Sequence, residues 1–368
     1  MRILILNWKH PDDAAAGGAE RYVVRVAALW AAAGHSVTLL VPQAESAALT
    51  SAAPAPPGVR LVVQGTRGTV FKQARRYLVA HRHEFDAVLE SISTRPFFAH
   101  EVVGERALVL YHQIADEVWD QEFHFPISWV GRRVVEPHWL RRIAGARVAA
   151  NSPSTAGDLA VRGVQSVGIV PPGADLLPEL SPRPLGDPPR VVFAGRLVRT
   201  KRPQDAIRAF ATIRAAFPAA TLDVIGDGYL RPSLDSQKSP GVTVHGFVSD
   251  QIKAELMARA DLLLLPGTRE GWGIVAIEAG LNRLPTVAYD VPGLRDAVGD
   301  GDTGILTKPD PDALGAAAVG LLREPSRWAM QADSAHRRAA AYTWQRAADG
   351  LMALLSGRDD GQVRKSAA

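Results

Sequence analysis

Residues 262–279 read LLLLPGTREGWGIVAIEA. The four leucines predict a short buried strand, and the apolar run that begins near Gly273 predicts a helix after a glycine-rich loop. Ligands of open parallel sheets bind at the carboxyl ends of the strands, so we expect Glu270 to lie in a ligand-binding loop. Gly271 and Gly273 let the backbone approach a ligand closely, and the free amides at the helix start suit a phosphate.

Glu278 lies one helical turn beyond Ile274 in the predicted helix. This spacing places both residues on one face, where the carboxylate can accept two hydrogen bonds from the hydroxyls of a ribose. A capped helix that carries one solvated glutamate has the same spacing. The pattern by itself leaves both interpretations open.

Short apolar runs alternate with helical patterns on both sides of this stretch. In the first half of the chain, the runs predicted as strands are Ile3–Leu6, Val37–Val41, Leu61–Val63, Ala87–Leu89, Leu108–Tyr111 and Val148–Ala150. In the second half they are Val191–Ala194, Thr221–Ile225, Val242–Val244, Leu262–Leu265 and Thr286–Ala288. This alternation predicts an α/β protein with two Rossmann-like, doubly wound domains.

A proline-rich segment separates the two halves. Proline lacks a backbone donor and has a fixed φ, so this segment cannot form a central strand. We expect an N-terminal domain over 1–172, a linker over 173–190, a C-terminal domain over 191–342 and a last helix over about 343–356. The polar tail from Gly357 onward is expected to be frayed.

Composition excludes several classes of protein. The 368 residues include 47% hydrophobic and 22% charged residues, which does not fit an intrinsically disordered chain. The formal net charge of +4 is spread over both halves and gives no footprint for nucleic-acid binding. The absence of cysteine excludes disulfides, thiol nucleophiles and cysteine-ligated zinc. No apolar stretch reaches 18 residues, so we expect a soluble, cytoplasmic protein.

Two cations follow the predicted strand Val191–Ala194. Arg196 offers a planar set of donors and Lys201 a mobile charge, a pair that can neutralise a diphosphate. Two solvated surface cations would give the same pattern. Because parallel strands end at one edge of a sheet, we expect both residues to lie near Glu270.

Three weaker signals occur at other predicted strand ends. Gly17 and Gly18 precede a helix and permit contact with a phosphate, although a tight turn gives the same pattern and the dinucleotide fingerprint is absent. His112 follows a strand and can donate a hydrogen bond or carry a proton, but a lone histidine is usually structural. Gly226 belongs to a turn whose amides could contact a ligand.

Paired aspartates do not predict a metal site here. The sequence Asp300-Gly301-Asp302 resembles a metal-binding pair but lies in a glycine-rich turn, and Asp12-Asp13 is interpreted in the same way. We therefore expect no metal ion and no other cofactor.

Two basic stretches occur in the first half, at 70–82 and at 123–147, and both interleave arginines with apolar residues. Such faces can rest on anionic lipid or bind an acidic acceptor, or they can simply be solvated. If the acceptor is lipid-linked, we expect 70–82 to contribute to membrane association.

The motifs together resemble glycosyltransferase family 4, whose members are retaining, nucleotide-sugar-dependent enzymes of GT-B fold. The resemblance rests on five motifs that occur in the family's order over nearly the whole chain. They are Gly17-Gly18-Ala19-Glu20-Arg21, Gly195-Arg196 with Lys201, Gly226-Asp227-Gly228, His245-Gly246-Phe247-Val248, and Glu270 with Glu278. Arg202 stands where the family commonly has glycine, and Trp272 where phenylalanine is commoner.

The resemblance implies a role for each site residue. Catalytic roles fall to Arg196, Lys201, Glu270 and His112. Donor-binding roles fall to Gly17, Gly18, Gly195, Gly226, Phe247, Val248, Gly271, Trp272, Gly273, Ile274, Val275 and Glu278. The last helix is similar to one that returns to the first domain. For the acceptor we name three candidates from the first domain, Glu20, Arg21 and Asp116.

The implied activity is sugar transfer from a nucleoside diphosphate sugar to an acceptor hydroxyl, in glycan, cell-envelope or natural-product biosynthesis. Front-face attack and a covalent intermediate both remain open, as do the base, the sugar and the acceptor. The alternative functions are a nucleotide-sugar epimerase of the same architecture and a non-catalytic nucleotide-sugar-binding protein. We expect no nucleic-acid partner, and the basic stretches leave peripheral contact with an anionic membrane open.

Overall fold

A computed structural model describes residues 1–13, 16–45, 56–175 and 181–357. Two predictions lie partly outside these residues, namely the central part of the expected linker, 176–180, and the expected frayed tail, 358–368. Contacts divide the chain into two compact units. The first comprises Met1–Trp119, Phe125–Gly173 and the chain from Thr343, and the second comprises Asp120–His124 and Ala174–Tyr342.

The first half of the chain alternates strands and helices. Its elements are β1 (Arg2–Leu6), α1 (Gly18–Ala32), β2 (Ser36–Val41), β3 (Val59–Val63), α2 (Val70–His81), β4 (Ala87–Ile92), α3 (His100–Val103), β5 (Ala107–Tyr111), α4 (Val118–Glu122), α5 (Ile127–Val130), α6 (Glu136–Ile143), β6 (Arg147–Ala150), α7 (Pro153–Val161) and β7 (Ser166–Ile169). A π-helical turn, Gly131–Val135, joins α5 to α6.

The second half repeats the alternation. Its elements are β8 (Arg190–Ala194), α8 (Pro203–Ala216), β9 (Thr221–Ile225), α9 (Arg231–Gln237), β10 (Val242–Gly246), α10 (Asp250–Arg259), β11 (Leu262–Leu265), α11 (Ile274–Leu281), β12 (Thr286–Tyr289), α12 (Leu294–Ala297), β13 (Gly304–Thr307), α13 (Pro311–Leu322), α14 (Pro325–Ala340) and α15 (Trp344–Leu355).

Each unit contains one parallel sheet. The strand order is β3-β2-β1-β4-β5-β6-β7 in the first unit and β10-β9-β8-β11-β12-β13 in the second. In both sheets the order reverses beside the first strand, which is the pattern of a doubly wound fold. The predicted α/β class with two Rossmann-like domains is confirmed.

Two strands were missed by the sequence analysis, β7 and β13. Both lie at the edge of their sheet and are only partly buried, with residues such as Ser166 and Thr307 half-exposed. Their sequences, SVGI and GILT, each contain glycine, a polar residue and only two apolar residues, so they show no clear apolar run. An edge strand tolerates such a composition because it is covered on fewer sides than a central one.

The centres of both sheets are buried completely. Strand β1 contributes Ile3–Ile5 to the first core, and β11 contributes Leu262–Leu264 to the second, all with no exposed surface. Helix α15 belongs to the first unit although it follows the second unit in the chain, and there the indole Nε1 of Trp30 donates to the carbonyl of Ala348 at 3.0 Å.

None of the helices in the described part of the chain is long and apolar enough to span a membrane.

Candidate active site

The loops after β8 and β11 lie side by side in the second unit. The two strands are hydrogen-bonded neighbours, and the Thr268 amide donates to the carbonyl of Thr200 at 2.8 Å. The sheet therefore brings segment 195–201 to segment 266–273, as their position after parallel strands predicts.

Lys201 and Glu270 form an ion pair at this edge. The Lys201 Nζ donates to Oε1 of Glu270, and both side chains are about one-fifth exposed, at 20% and 19%. The Glu270 amide in turn donates to the carbonyl of Pro292 at 3.1 Å. A Cβ on Gly293 would lie 2.2 Å from the Glu270 carbonyl, so only glycine allows this approach. The backbone of three loops thus holds the carboxylate in position.

Helix α11 begins beside this ion pair. Gly273 is its N-cap and has a left-handed conformation, with φ +86° and ψ +48°, which glycine adopts without steric cost. Ile274 and Val275 follow as the first helical residues, so their amides have no acceptor inside the helix. Free amides at the positive end of a helix dipole next to a lysine suit a phosphate.

Glu278 is not a solvated glutamate. Its side chain is 12% exposed, and its Oε1 accepts a hydrogen bond from Nζ of Lys253 at 2.9 Å. Lys253 also lies 3.3 Å from Asp250 at the start of α10. Sequence reasoning missed Lys253, although its place one turn into the helix after His245–Val248 could have drawn attention to it.

Arg196 lies on the same loop as Lys201 but has a different environment. Its side chain is exposed and makes no hydrogen bond or ion pair to any residue that the structure describes. Of the two cations predicted for this edge, Lys201 pairs with a carboxylate, and anion binding by Arg196 stays a prediction.

The glycines after β8 and β9 pack against backbone. A Cβ on Gly226 would lie 1.9 Å from the carbonyl oxygen of Gly195, and one on Gly228 would lie 2.4 Å from that of Leu197. The Leu197 amide also donates to the carbonyl of Asp227 at 2.9 Å. These contacts give Gly226 a structural role in joining the two loops, and donor contact by Gly195 and Gly226 stays a prediction.

The backbone conformation of Arg202 is one that favours glycine, the residue expected at this position from the family resemblance. It has φ +48° and ψ +52°, a left-handed conformation that side chains rarely adopt. Its guanidinium donates to Oγ1 of Thr268 at 3.1 Å and contacts Asp205 at 3.3 Å. These bonds link the loop after β8 to the loop after β11.

The apolar residues predicted to line the donor site differ in exposure. The Trp272 ring is buried and packs against Tyr342 with ring centres 5.0 Å apart, so any contact with a donor would fall to its backbone. Phe247 is well exposed and Val248 is partly buried against the core.

Gly17, Gly18 and Glu20 form the start of α1 in the first unit. Gly17 is the N-cap, and its amide donates to Oε2 of Glu20 at 2.8 Å, which satisfies a backbone donor at the helix start. The other carboxylate oxygen of Glu20 is buried and has no hydrogen-bond partner in the described chain. Glu20 thus caps the helix and keeps one acceptor for a further donor.

His112 is buried at the carboxyl end of β5. One ring nitrogen, Nε2, lies 3.0 Å from the Ser91 hydroxyl, and the ring meets that of Tyr22 edge-on at 5.7 Å. Burial lowers the pKa of His112 to about 4. The imidazole is therefore neutral near pH 7, where it can donate or accept a hydrogen bond but carries no charge.

Asp116, a predicted acceptor residue, forms ion pairs within the first unit. The Asp116 carboxylate lies 2.7 Å from Arg132 and 2.5 Å from Arg162, so it is held within the first unit. Arg21 is half-buried on α1. The acceptor roles of both residues stay predictions.

The paired aspartates take part in loop structure. Oδ1 of Asp300 accepts from the Leu306 amide at 2.8 Å, and Asp13 pairs with Arg67 at 2.7 Å. Within the described ranges, no group of three or more His, Asp or Glu side chains could hold a metal ion.

Comparison with known proteins gives matches in both halves. The family model "Glycosyltransferase Family 4" matches residues 16–176, and "Glycosyl transferases group 1" matches residues 188–324.

Two curated relatives illustrate the range of similarity. The chain is 34% identical over 208 residues to a D-inositol 3-phosphate glycosyltransferase of Rhodococcus opacus, across 50% of this chain and 47% of that protein. It is 28% identical over 382 residues to a glycogen synthase of Mycobacterium tuberculosis, across 94% of this chain and 92% of that protein. The match to the Rhodococcus protein thus spans about half of its length.

A solved structure shows the fold. Anabaena Alr3699/HepE, in complex with UDP and glucose, superposes with a TM-score of 0.73 at 20% identity, across 97% of this chain and all of that one. Two parallel α/β sheets with such a neighbour identify the fold as a two-domain, Rossmann-like GT-B fold.

Proposed function

Because the chain belongs to glycosyltransferase family 4, we propose that it transfers a sugar from a nucleoside diphosphate sugar to an acceptor hydroxyl and retains the anomeric configuration. This proposal rests on one observation, that Lys201, Glu270 and the start of α11 lie together at one edge of the sheet. A cation, a carboxylate and free helix amides are what a sugar diphosphate requires there.

The diphosphate would lie on the amides of Ile274 and Val275, with Lys201 and the unengaged Arg196 supplying positive charge. Glu278, oriented by Lys253, would accept the ribose hydroxyls. Two cations and a helix dipole would neutralise the charge that develops on the departing diphosphate. We therefore also propose that sugar transfer requires no metal ion.

In the proposed reaction, the bond between the sugar C1 and the diphosphate oxygen breaks while the acceptor oxygen bonds to C1 from the same face. The acceptor proton passes to a phosphate oxygen of the leaving group. Neutral His112 would contribute a hydrogen bond near the donor sugar, because burial keeps its imidazole uncharged. The unsatisfied oxygen of Glu20 would accept from an acceptor hydroxyl.

The relatives support this class of donor and product. HepE was crystallised with UDP and glucose, and the two curated relatives are a sugar transferase and a polysaccharide synthase by name. We accordingly place the product among glycans, cell-envelope components or glycosylated natural products.

A thermal-shift screen of UDP-, GDP- and ADP-sugars identifies the donor, because a ligand that binds the native state raises its melting temperature. Transfer is then measured for Lys201→Met and Glu278→Gln, with Lys308→Met as the control, since Lys308 is 75% exposed and pairs with Asp310 at 3.1 Å, away from the predicted donor-site residues. We expect turnover to fall about 100-fold or more in the first two variants and to stay unchanged in the control.

NMR of the product defines its anomeric configuration, and addition of EDTA checks the metal-free proposal. Full activity in both donor-site variants would contradict the site. An inverted product would contradict retention, loss of activity in EDTA would contradict metal independence, and conversion of the donor without any acceptor would indicate an epimerase.

A further inference from the structure

Arg202 follows Lys201 directly and has a backbone conformation that disfavours a side chain. Its φ of +48° and ψ of +52° are left-handed, and Pro203 after it biases the preceding residue toward extended conformations instead. Glycine adopts the left-handed conformation without steric cost. An arginine persists here because the contacts of its side chain offset the strain of its backbone.

The guanidinium of Arg202 bridges two parts of the second unit. Its Nε donates to Oγ1 of Thr268 at 3.1 Å, and its Nη1 donates to Oδ2 of Asp205 at 3.3 Å. Thr268 belongs to the loop after β11, and Asp205 lies in the first turn of α8. One side chain thus ties the start of α8 to the loop that carries Glu270.

Tyr289 holds the Asp205 end of this bridge. Its hydroxyl donates to the same Oδ2 of Asp205 at 3.0 Å, and the residue lies at the end of β12 with no exposed surface. Burial, and then the nearby Asp205 carboxylate, raise the pKa of Tyr289, so the hydroxyl keeps its proton near neutral pH. The bonds from Tyr289 through Asp205 and Arg202 to Thr268 therefore start from a fixed point in the core.

The bridge encloses the ion pair of the proposed donor site. The Thr268 amide donates to the carbonyl of Thr200 at 2.8 Å, so Thr268 contacts the residues on both sides of Lys201. Glu270, which accepts from Nζ of Lys201, lies two residues beyond Thr268. The contacts of Thr268 with Thr200 and Arg202 thus set the position of Lys201 relative to Glu270.

Stabilisation of the fold does not account for this arginine. The Arg202 side chain is 36% exposed, and an ion pair as exposed as the one with Asp205 contributes little to the free energy of unfolding. Glycine at this position would relieve the backbone, which offsets the loss of the side-chain bonds. The benefit of the arginine is therefore expected in the geometry of the two loops.

We propose that Arg202 is a positioning residue of the donor site. By holding the two loops together through Thr268, it sets Lys201 and Glu270 in the geometry that acts on the diphosphate of the donor. This inference rests on the proposed function. A small displacement of a group that acts on the reacting atoms lowers the rate steeply, so loss of the bridge should reduce turnover more than stability.

Turnover of the full chain tests the proposal. Release of nucleoside diphosphate is measured with UDP-glucose, GDP-mannose and ADP-glucose, and the donor that the wild type turns over is then used for every variant. Arg202→Gly removes the guanidinium and relieves the backbone. Thr268→Val removes the acceptor Oγ1 and leaves the positive charge of Arg202 in place.

We expect kcat to fall about 10-fold in each of the two variants, while the melting temperature changes little. Because both variants break the same hydrogen bond, the double variant should also lose about 10-fold in kcat rather than about 100-fold. Thermal unfolding of each variant shows that it is folded. If Arg202→Gly does not fold, unchanged turnover in Thr268→Val by itself contradicts the proposal.

Arg283→Gly is the matched control. Arg283 is also left-handed, with φ +55°, and its guanidinium pairs with Asp333. It lies between the end of α11 and the start of β12, at the opposite edge of the sheet from the loops after β8 and β11. The control thus relieves the backbone of a second arginine, and its kcat should equal that of the wild type.

Lys201→Met separates this inference from the proposed function. Full turnover in Lys201→Met would contradict the donor site and the positioning role together. If Lys201→Met loses turnover while Arg202→Gly and Thr268→Val keep it, only the positioning role is wrong. Losses that multiply in full in the double variant, or a loss in Arg202→Gly alone, would show that Arg202 acts on the donor directly and would overturn the proposal.

Discussion

Lys253 shows how much a single unpredicted contact changes the site. Its ammonium lies 2.9 Å from the carboxylate of Glu278, which the sequence suggested only as a ribose acceptor or a solvated glutamate. A side chain that is 12% exposed and paired with a lysine has a defined orientation. The ion pair therefore fixes the orientation of the Glu278 carboxylate.

We predict that Lys253→Met weakens the binding of the cognate nucleoside diphosphate by about 10-fold, because a hydrogen bond to a charged group is worth about 1.5 kcal/mol. Isothermal titration of UDP and GDP measures the loss. Since Lys253 acts through Glu278, the double variant with Glu278→Gln should bind no worse than Glu278→Gln alone. Two losses that add in full would contradict this positioning role.

His112 makes stability depend on pH. Its folded pKa of about 4 lies below the unfolded value of 6.5, so between these values only the unfolded chain binds the proton. The free energy of unfolding should therefore fall as the pH drops from 6.5 to 4, by about 1.4 kcal/mol per pH unit from this group.

Denaturant unfolding at pH 7, 6 and 5 checks this for the wild type and for His112→Asn. The variant lacks the titrating ring, so its stability should fall less steeply below pH 6.5, whatever its stability at pH 7. Parallel curves for the two proteins would mean that the imidazole is protonated in the folded state.

At the scale of elements, two glycines of helix α13, Gly315 and Gly320, have different packing environments. Gly315 faces α8, where a Cβ would lie 2.7 Å from the Ala209 carbonyl and 2.8 Å from Cβ of Thr212. Gly320 on the same helix has nothing within 4 Å of such an atom. Gly315 allows two helices to pack closely. Gly320 makes no such contact, so its main effect is the low helix propensity of glycine.

The same substitution should therefore have opposite effects at the two positions. We predict that Gly315→Ala lowers the free energy of unfolding by about 1–3 kcal/mol through overpacking, and that Gly320→Ala raises it by about 0.5–1 kcal/mol through helix propensity. Chemical denaturation measures both. A change of the same sign in the two variants would show that contact with α8 does not distinguish them.

At the scale of the whole molecule, helix α15 connects the end of the described chain to the first unit. It packs with α1, and its Leu351 has no exposed surface. A Cβ on Gly173 would lie 2.2 Å from the Trp344 amide nitrogen, so the start of α15 also contacts the last residue before the second unit. The first unit is complete only after the chain has passed through the second.

We predict that Leu351→Ala destabilises the first unit by about 2–5 kcal/mol, because it removes buried methyl groups from a closed core. Hydrogen exchange read by mass spectrometry should show faster exchange in α1 and unchanged exchange in α8 and α13. The matched variant Leu321→Ala, also fully buried but in the second unit, should give the reverse pattern. Uniform acceleration over both units in either variant would indicate a single cooperative core.

Local pattern was sufficient for most of the fold. The central strands bury both faces, so runs such as Leu262–Leu265 stand out in the sequence, and parallel strands place their following loops at one edge, which brings Lys201 to Glu270. Strands β7 and β13 lacked that signal because glycine and polar residues leave each of them with only two apolar side chains.

Contacts between side chains far apart in the chain could not be predicted and became visible only in the folded protein. Lys253 and Glu278 are 25 residues apart, and Trp272 packs against Tyr342, which lies still further along the chain. Periodicity reports which face of an element is buried, but not which residue of another element it meets. That depends on how whole helices and strands pack, so the partners of charged and aromatic side chains emerge only in the folded chain.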